Sequence, residues 1–221
     1  IEEIGKIAKE NNIIFHTDAV QAFGHIKIDV KKIGADMLSA SSHKFHGPKG
    51  CGFLYADKNT GIKPFIYGGG QERGQRSGTE NVPGILGMVK AAEISHRIMD
   101  ENNRKLRKIN DYMTDRILNE IDDCICNGNR ENRLSNNINV SFGNIDGKAL
   151  LVLLDMEGVY VSGASACNGG KEKSYVLSSL GVPEKYADGT IRMTMDYTMN
   201  MKQADYVLNV LKKCVNYLRK K

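Results

Sequence analysis

At 221 residues, with 41% apolar and 26% charged side chains, the chain has the makeup of an ordinary globular protein of roughly one to two domains. Its net charge of +5 comes from lysines and arginines interspersed with acids, apart from the tail Leu218-Arg219-Lys220-Lys221, so charge alone gives little support to nucleic-acid binding. No apolar run approaches the ~20 residues that a bilayer helix requires, and an odd count of five cysteines in a chain too large to need staples predicts free thiols in a reducing cytoplasm.

Taken in order, the chain reads as a helix Ile1–Glu10, a strand Ile13–Phe15, a turn through Gly24, a short helix Val30–Ile33, and strands Asp36–Ser39 and Gly52–Ala56. Because Ile1 falls inside the opening helix, we expect a longer parent polypeptide and a first sheet that is incomplete. A Gly-rich loop fills residues 61 to 84, where glycine permits positive φ and close backbone approach. Apolar residues then recur at helical spacing (Ile94, Ile98, Leu106, Ile109, Met113, Ile117), which predicts one long helix or two over Ile85–Ile121. From Leu134 a second alternation follows: strand Asn137–Phe142, helix Gly147–Glu157, strand Val159–Val161, a loop of small residues, helix Ser174–Leu180, strand Thr190–Met195 and helix Lys202–Leu218. The pattern is α/β throughout. We divide it into a cofactor-binding part at 1–84, an interdomain helical segment at 85–130 and a smaller α/β domain at 131–221.

Lys44 lies in Ser39-Ala40-Ser41-Ser42-His43-Lys44-Phe45-His46-Gly47-Pro48-Lys49-Gly50, between two strand-like segments. Asp18, in His16-Thr17-Asp18-Ala19, emerges at the carboxyl end of the first strand, where open α/β sheets bind ligands. A lysine for a Schiff base and an acid for a pyridinium nitrogen are what pyridoxal phosphate needs. Ser41 and His43, alternating with Ser42 and Lys44 on an extended segment, would face a phosphate beside the amine. The competing reading is a solvated lysine in a polar loop. A zinc site at His43-x-x-His46 is disfavoured, since no third ligand accompanies the pair.

Cys167 sits at the middle of Ser162-Gly163-Ala164-Ser165-Ala166-Cys167-Asn168-Gly169-Gly170-Lys171, small and polar surroundings in which a thiol can ionise and react; a structural thiol is the equal alternative. Cys51, Cys124, Cys126 and Cys214 read as inert. Arg192, on the alternating strand Thr190-Ile191-Arg192-Met193-Thr194, needs a carboxylate or phosphate if it points inward, and is an exposed edge arginine otherwise.

Thr17-Asp18-Ala19-Val20-Gln21, Ser41-Ser42-His43-Lys44-x-x-Gly47-Pro48-Lys49-Gly50, Gly68-Gly69-Gly70-Gln71-Glu72-Arg73-Gly74, Arg76-Ser77-Gly78-Thr79 and Ser165-Ala166-Cys167, in this order and spacing, resemble cysteine desulfurases of the NifS/IscS type, class-V aminotransferases. The resemblance implies fold-type I, a partial large domain plus a smaller C-terminal α/β domain, and a homodimer dependent on pyridoxal 5'-phosphate. By motif position it makes Lys44 the cofactor lysine, Asp18 the partner of the pyridinium nitrogen and Gln21 that of the ring hydroxyl. Ser41 and His43 would bind the phosphate with Thr79 of the other subunit, and Arg192 the carboxylate of L-cysteine. Cys167 would leave with the substrate sulfur as a persulfide, L-alanine being the other product, and pass it to an acceptor such as an Fe–S scaffold or a tRNA-thiolation protein. Only the C-terminal part of the family is matched, so we expect residues 1–221 alone to be inactive. Two alternatives stand beside this: a selenocysteine lyase-like relative, and a non-catalytic fragment that keeps dimer or scaffold-binding surfaces.

Overall fold

The computed structural model describes residues 1–163 and 174–220, and the chain divides into two compact units, Ile1–Asp100 and Glu101–Lys221. The first unit holds α1 (Glu2–Glu10), β1 (His16–Asp18), α2 (Val30–Ile33), β2 (Met37–Ser41), a 3-10 turn at Ser42–Phe45, β3 (Gly52–Ala56) and a second 3-10 turn at Glu72–Gly74. The helix α3 (Val82–Glu120) is a single run of 39 residues that passes through the division at Asp100.

The three strands of this unit lie in the order β1-β2-β3, with β1 parallel and β3 antiparallel to β2. Alternation along β2 buries Leu38 and Ala40 and leaves Met37, Ser39 and Ser41 half-buried. The buried side packs with Ala19, Phe23, Ile28, Val30, Phe53 and Tyr55, so the sheet has one apolar face and one polar face. Between the parallel strands, α2 starts where the Asp29 carboxylate accepts the Lys31 and Lys32 amides at 2.9 and 3.2 Å.

The strand expected at Ile13–Phe15 forms three residues later, at His16–Asp18. Two neighbours explain the shift. The Ile13 amide donates to the Ala8 carbonyl at 2.8 Å, closing the end of α1, and the Phe15 amide donates to the Asp36 carboxylate at 2.8 Å. The ladder begins only where β2 does, at His16↔Met37. The expected strand Asp36–Ser39 is correspondingly Met37–Ser41.

The second unit contains the remainder of α3, β4 (Cys124–Cys126), β5 (Asn137–Phe142), α4 (Gly147–Met156), α5 (Tyr175–Ser179), α6 (Glu184–Ala187), β6 (Thr190–Thr194) and α7 (Met201–Arg219). Its strands run β4-β5-β6, each pair antiparallel. Ile138, Val140 and Phe142 alternate along β5 at full burial and pack with Ile191 and Met193 of β6, Met113 and Ile117 of α3, Leu150 of α4, and Leu211 and Val215 of α7. The expected strand Val159–Val161 is absent because the Val159 amide is taken by the Leu154 carbonyl at 2.9 Å, at the end of α4. Among the described residues this segment meets β6 through a bridge of Ser162 to Arg192. Residues 124–126, read from sequence as part of the interdomain segment, are the outer strand β4 of this sheet.

α7 starts on a capping box, Asn200 accepting from the Gln203 amide while the Gln203 side chain accepts from the Asn200 amide. Phe142 lies at the centre of the packing. Truncating it should remove about 3–5 kcal/mol of stability, whereas Val152→Ala, at a position 60% exposed, should change it by less than about 0.5 kcal/mol. Urea unfolding of the two variants checks this, and equal midpoints would place the core elsewhere.

Candidate active site

β1 and β2 are parallel with Asp18 opposite Ser39, so both strands deliver their carboxyl ends to the same edge of the sheet. Asp18 ends β1 and is exposed. Its carboxylate accepts the Val20 amide at 2.8 Å, an Asx turn that directs the chain away from the sheet, and the Ala19 amide donates to the Ser39 carbonyl at 2.9 Å. Gln21 follows in that turn and is exposed.

β2 ends at Ser41, and the next residues do not stay extended as the alternation suggested. Ser42–Phe45 coil into the 3-10 turn that carries Lys44. Phe45 is the reason: it is 1% exposed, meets Phe23 edge-on at 4.9 Å between ring centres, and packs on Met88 and Ala91 of α3. Its carbonyl accepts the Ser95 hydroxyl at 3.3 Å, and the Gly47 amide donates to the Ser42 carbonyl at 3.0 Å. Gly24 (φ 82°) lets the preceding turn press on Phe45, since a Cβ there would lie 2.6 Å from the Phe45 Cβ. Lys44 is thus half-buried, next to buried Phe45 and two residues after buried Ser42, and among the described residues its amine has no ion pair or hydrogen bond. Although the segment is not extended, Ser41 and His43 remain side by side, with Oγ and Nδ1 2.8 Å apart.

The polar face of the sheet holds two residues that the sequence did not single out. His16 Nε2 lies 2.8 Å from the Ser39 hydroxyl, and both share a face with Asp18 and Ser41. The spacing His16-x-Asp18 would have pointed to His16, but only with the strand placed at these polar residues and not on the isoleucines before them. The Ser42 hydroxyl is fully buried with no hydrogen-bond partner among the described residues. Behind the turn, burial pushes the His25 imidazole below its ordinary range, a hydrogen bond to the Phe23 backbone opposes the shift, and nearby His46 adds to it.

Thr79 lies in the Gly-rich loop and is exposed. The loop is tied by Gln71, whose side-chain carbonyl accepts the Gly78 amide at 3.0 Å, and by buried Ser77, whose amide donates to the Ile66 carbonyl at 3.1 Å. Arg192 belongs to the second unit. It stands opposite Asn139 of β5 on one side and exchanges two backbone hydrogen bonds with Ser162 on the other, at 2.6 and 3.0 Å. Asp18, Ser41, His43 and Lys44 are therefore grouped at one sheet edge, Arg192 is placed by a separate sheet, and Cys167 lies outside the described residues. Cys51, Cys124, Cys126 and Cys214 are free thiols. Burial raises the pKa of Cys124 and of Cys214, consistent with inert roles.

The profile of the family described as Aminotransferase class-V matches residues 1–207. Cysteine desulfurase IscS of Methanosarcina thermophila is 48% identical over 220 residues, covering 99% of this chain and 54% of that protein. Among solved structures, a NifS-like protein from Rickettsia africae superposes with a TM-score of 0.87 at 32% identity, over 97% of this chain and 57% of that one. SspA, solved in complex with cysteine, gives a TM-score of 0.67 at 35% identity, over 88% of this chain and 53% of that one. The chain spans about half the length of the curated relatives it matches.

Gly47 is where the turn tolerates least. A Cβ there would stand 2.0 Å from the Ser42 hydroxyl and 3.3 Å from the Ala91 Cβ. Gly47→Ala should cost about 1–3 kcal/mol by overpacking, and adding Ser42→Gly should return part of it. Chemical denaturation of the single and double variants measures both effects; a double variant no more stable than Gly47→Ala would dismiss the Ser42 clash as the cause.

Proposed function

Because the chain belongs to the class-V aminotransferase family, we propose that it is the part of a cysteine desulfurase that carries the cofactor lysine and the sulfur-accepting cysteine. The net reaction takes L-cysteine and the Cys167 thiol to L-alanine and a Cys167 persulfide. The observation that carries the proposal is the placement of Lys44, an amine without an ion partner among the described residues, on a turn fixed by buried Phe45 beside the strand end of Asp18. Support also comes from the relatives named cysteine desulfurase at 48% identity.

Pyridoxal 5'-phosphate, when bound, supplies an electron sink for charge developing at the substrate Cα. The residues present fit this group: an amine free to take an aldehyde, a carboxylate at the neighbouring strand end for a pyridinium nitrogen, and a hydroxyl–imidazole pair at 2.8 Å for a phosphate. Lys44 would hold this group through its amine and would be the base that moves the substrate Cα proton. Asp18 would face the ring nitrogen, Gln21 would take the ring hydroxyl, and Ser41 and His43 would hold the phosphate. Arg192 takes the substrate carboxylate in the forked geometry that guanidinium allows. The Cys167 thiolate would attack the substrate sulfur; an S–S bond forms as the Cβ–S bond breaks, the electron pair of that bond stays with the carbon skeleton, and proton uptake there completes L-alanine.

The active form we propose is a cytoplasmic homodimer in which Thr79 reaches the phosphate of the other copy. Phe65 and Tyr67 are 93% and 79% exposed beside the Thr79 loop, and Val82, Leu86 and Val89 form an exposed apolar stripe on α3. Apolar surface of this kind suits an interface between copies. The persulfide is delivered to an acceptor such as an Fe–S scaffold or a tRNA-thiolation protein.

Borohydride reduction followed by peptide mass spectrometry should find pyridoxal phosphate on Lys44 and no adduct in Lys44→Ala, which should also lose all turnover. An undiminished adduct on another lysine would move the cofactor. Cys167→Ala should bind L-cysteine yet yield no persulfide on the protein; alanine production at the parental rate would remove Cys167 as nucleophile.

A further inference from the structure

Arg192 shares its face of the second sheet with a chain of buried polar side chains, and hydrogen-bond accounting gives that chain one direction. The Thr190 hydroxyl has a single proton, which it donates to the Tyr186 carbonyl at 3.1 Å. The 2.6 Å contact between Ser141 and Thr190 must then be donated by Ser141. With its proton spent, Ser141 can only accept from Asn127, whose Nδ2 lies 2.7 Å away. The same Nδ2 donates to Asn139 Oδ1 at 2.7 Å, so Asn139 is held with its carbonyl toward Asn127 and its NH2 turned away.

That NH2 has no hydrogen-bond partner among the described residues. Asn139 is the register partner of Arg192, so the two side chains rise from one face of adjacent strands with Cβ atoms about 4.5–5.5 Å apart. The fixed orientation has a cost: Asn127, 4% exposed, donates both protons and leaves its own Oδ1 buried without a partner among the described residues. A network built only for packing would gain from apolar residues at these positions.

We infer that Asn139 is a second recognition residue beside Arg192, its amide NH2 donating to the carboxylate that the guanidinium grips. The inference rests on the assignment of the substrate carboxylate to Arg192. Asn139 gives a neutral donor to one oxygen of the anion, and the chain from Tyr186 to Asn127 keeps it from presenting its carbonyl there instead, which would repel the ligand.

Equilibrium titration of the cofactor-loaded enzyme with L-alanine, and with L-alaninamide as the same ligand without the negative charge, tests this. Asn139→Asp keeps the acceptor for Asn127 but replaces NH2 by charge; it should weaken L-alanine roughly ten- to a hundred-fold, the worth of a hydrogen bond to a charged group, and leave L-alaninamide at the parental affinity or tighter. Asn139→Ser, too short to reach the anion, should weaken L-alanine in the same direction and serves if the aspartate variant folds poorly. Thr190→Val, which touches no ligand, should also weaken L-alanine, because Ser141 is then free to donate to Asn127 and both amides can reverse. Parental affinity for L-alanine in both Asn139 variants, with affinity lost in Arg192→Ala, would overturn this inference and leave the proposed function standing. Parental affinity in Arg192→Ala as well would overturn the carboxylate assignment and this inference with it.

Discussion

The parallel pairing of β1 with β2 is the constraint on which the first unit's chemistry depends. Three residue pairs, His16↔Met37 through Asp18↔Ser39, align the ends of two strands, and everything placed at that edge inherits its position from them. Side chains alternate between faces with a period of two, so a slip of one residue would carry Asp18 from the polar face to the side that packs Leu38 and Ala40. The short ladder is braced from outside itself by the Asp36 carboxylate on the Phe15 amide and by the Ala19 amide on the Ser39 carbonyl.

A rigid edge would still leave a long lysine side chain free to wander, and the turn after β2 limits this. Burial of Phe45 against Phe23, Met88 and Ala91 pins the backbone on one side of Lys44, and buried Ser42 pins it on the other. Packing therefore fixes where the side chain starts, and no ion pair among the described residues ties its amine elsewhere. In the second unit the order of causes is similar. An apolar face of β5 and β6 makes the core, and its register then sets which polar residues stand together on the reverse face.

Elements carried by apolar periodicity were legible in the sequence. β3, β5 and α2 have the expected bounds, and α3 resolves the choice between one helix and two in favour of one. The errors have a common origin. At Ile13–Phe15 and Val159–Val161 apolar residues outrank their neighbours in any hydrophobic reading, yet their amides close helices α1 and α4. The strand at β1 is polar, which is why His16 went unnoticed while Asp18, marked by its position before a turn, did not. That Ser41, His43 and Lys44 stand together was legible because they are neighbours in one short segment. The Asn127–Asn139–Ser141–Thr190 chain was not, since it joins three strand regions up to 63 residues apart in sequence (127 to 190) and exists only once their register is set.

The buried thiols have a consequence under the proposed function, in which sulfur is carried as a persulfide. A persulfide gives up its outer sulfur to thiolates, and a neutral thiol is a poor recipient. Cys124, its Sγ donating to the Ile117 and Ile121 carbonyls at 3.6 and 3.0 Å, and Cys214, packed in the core, both have their pKa raised by burial. At neutral pH they stay protonated. On the proposed function, desolvation makes Cys124 and Cys214 poor competing acceptors for that sulfur.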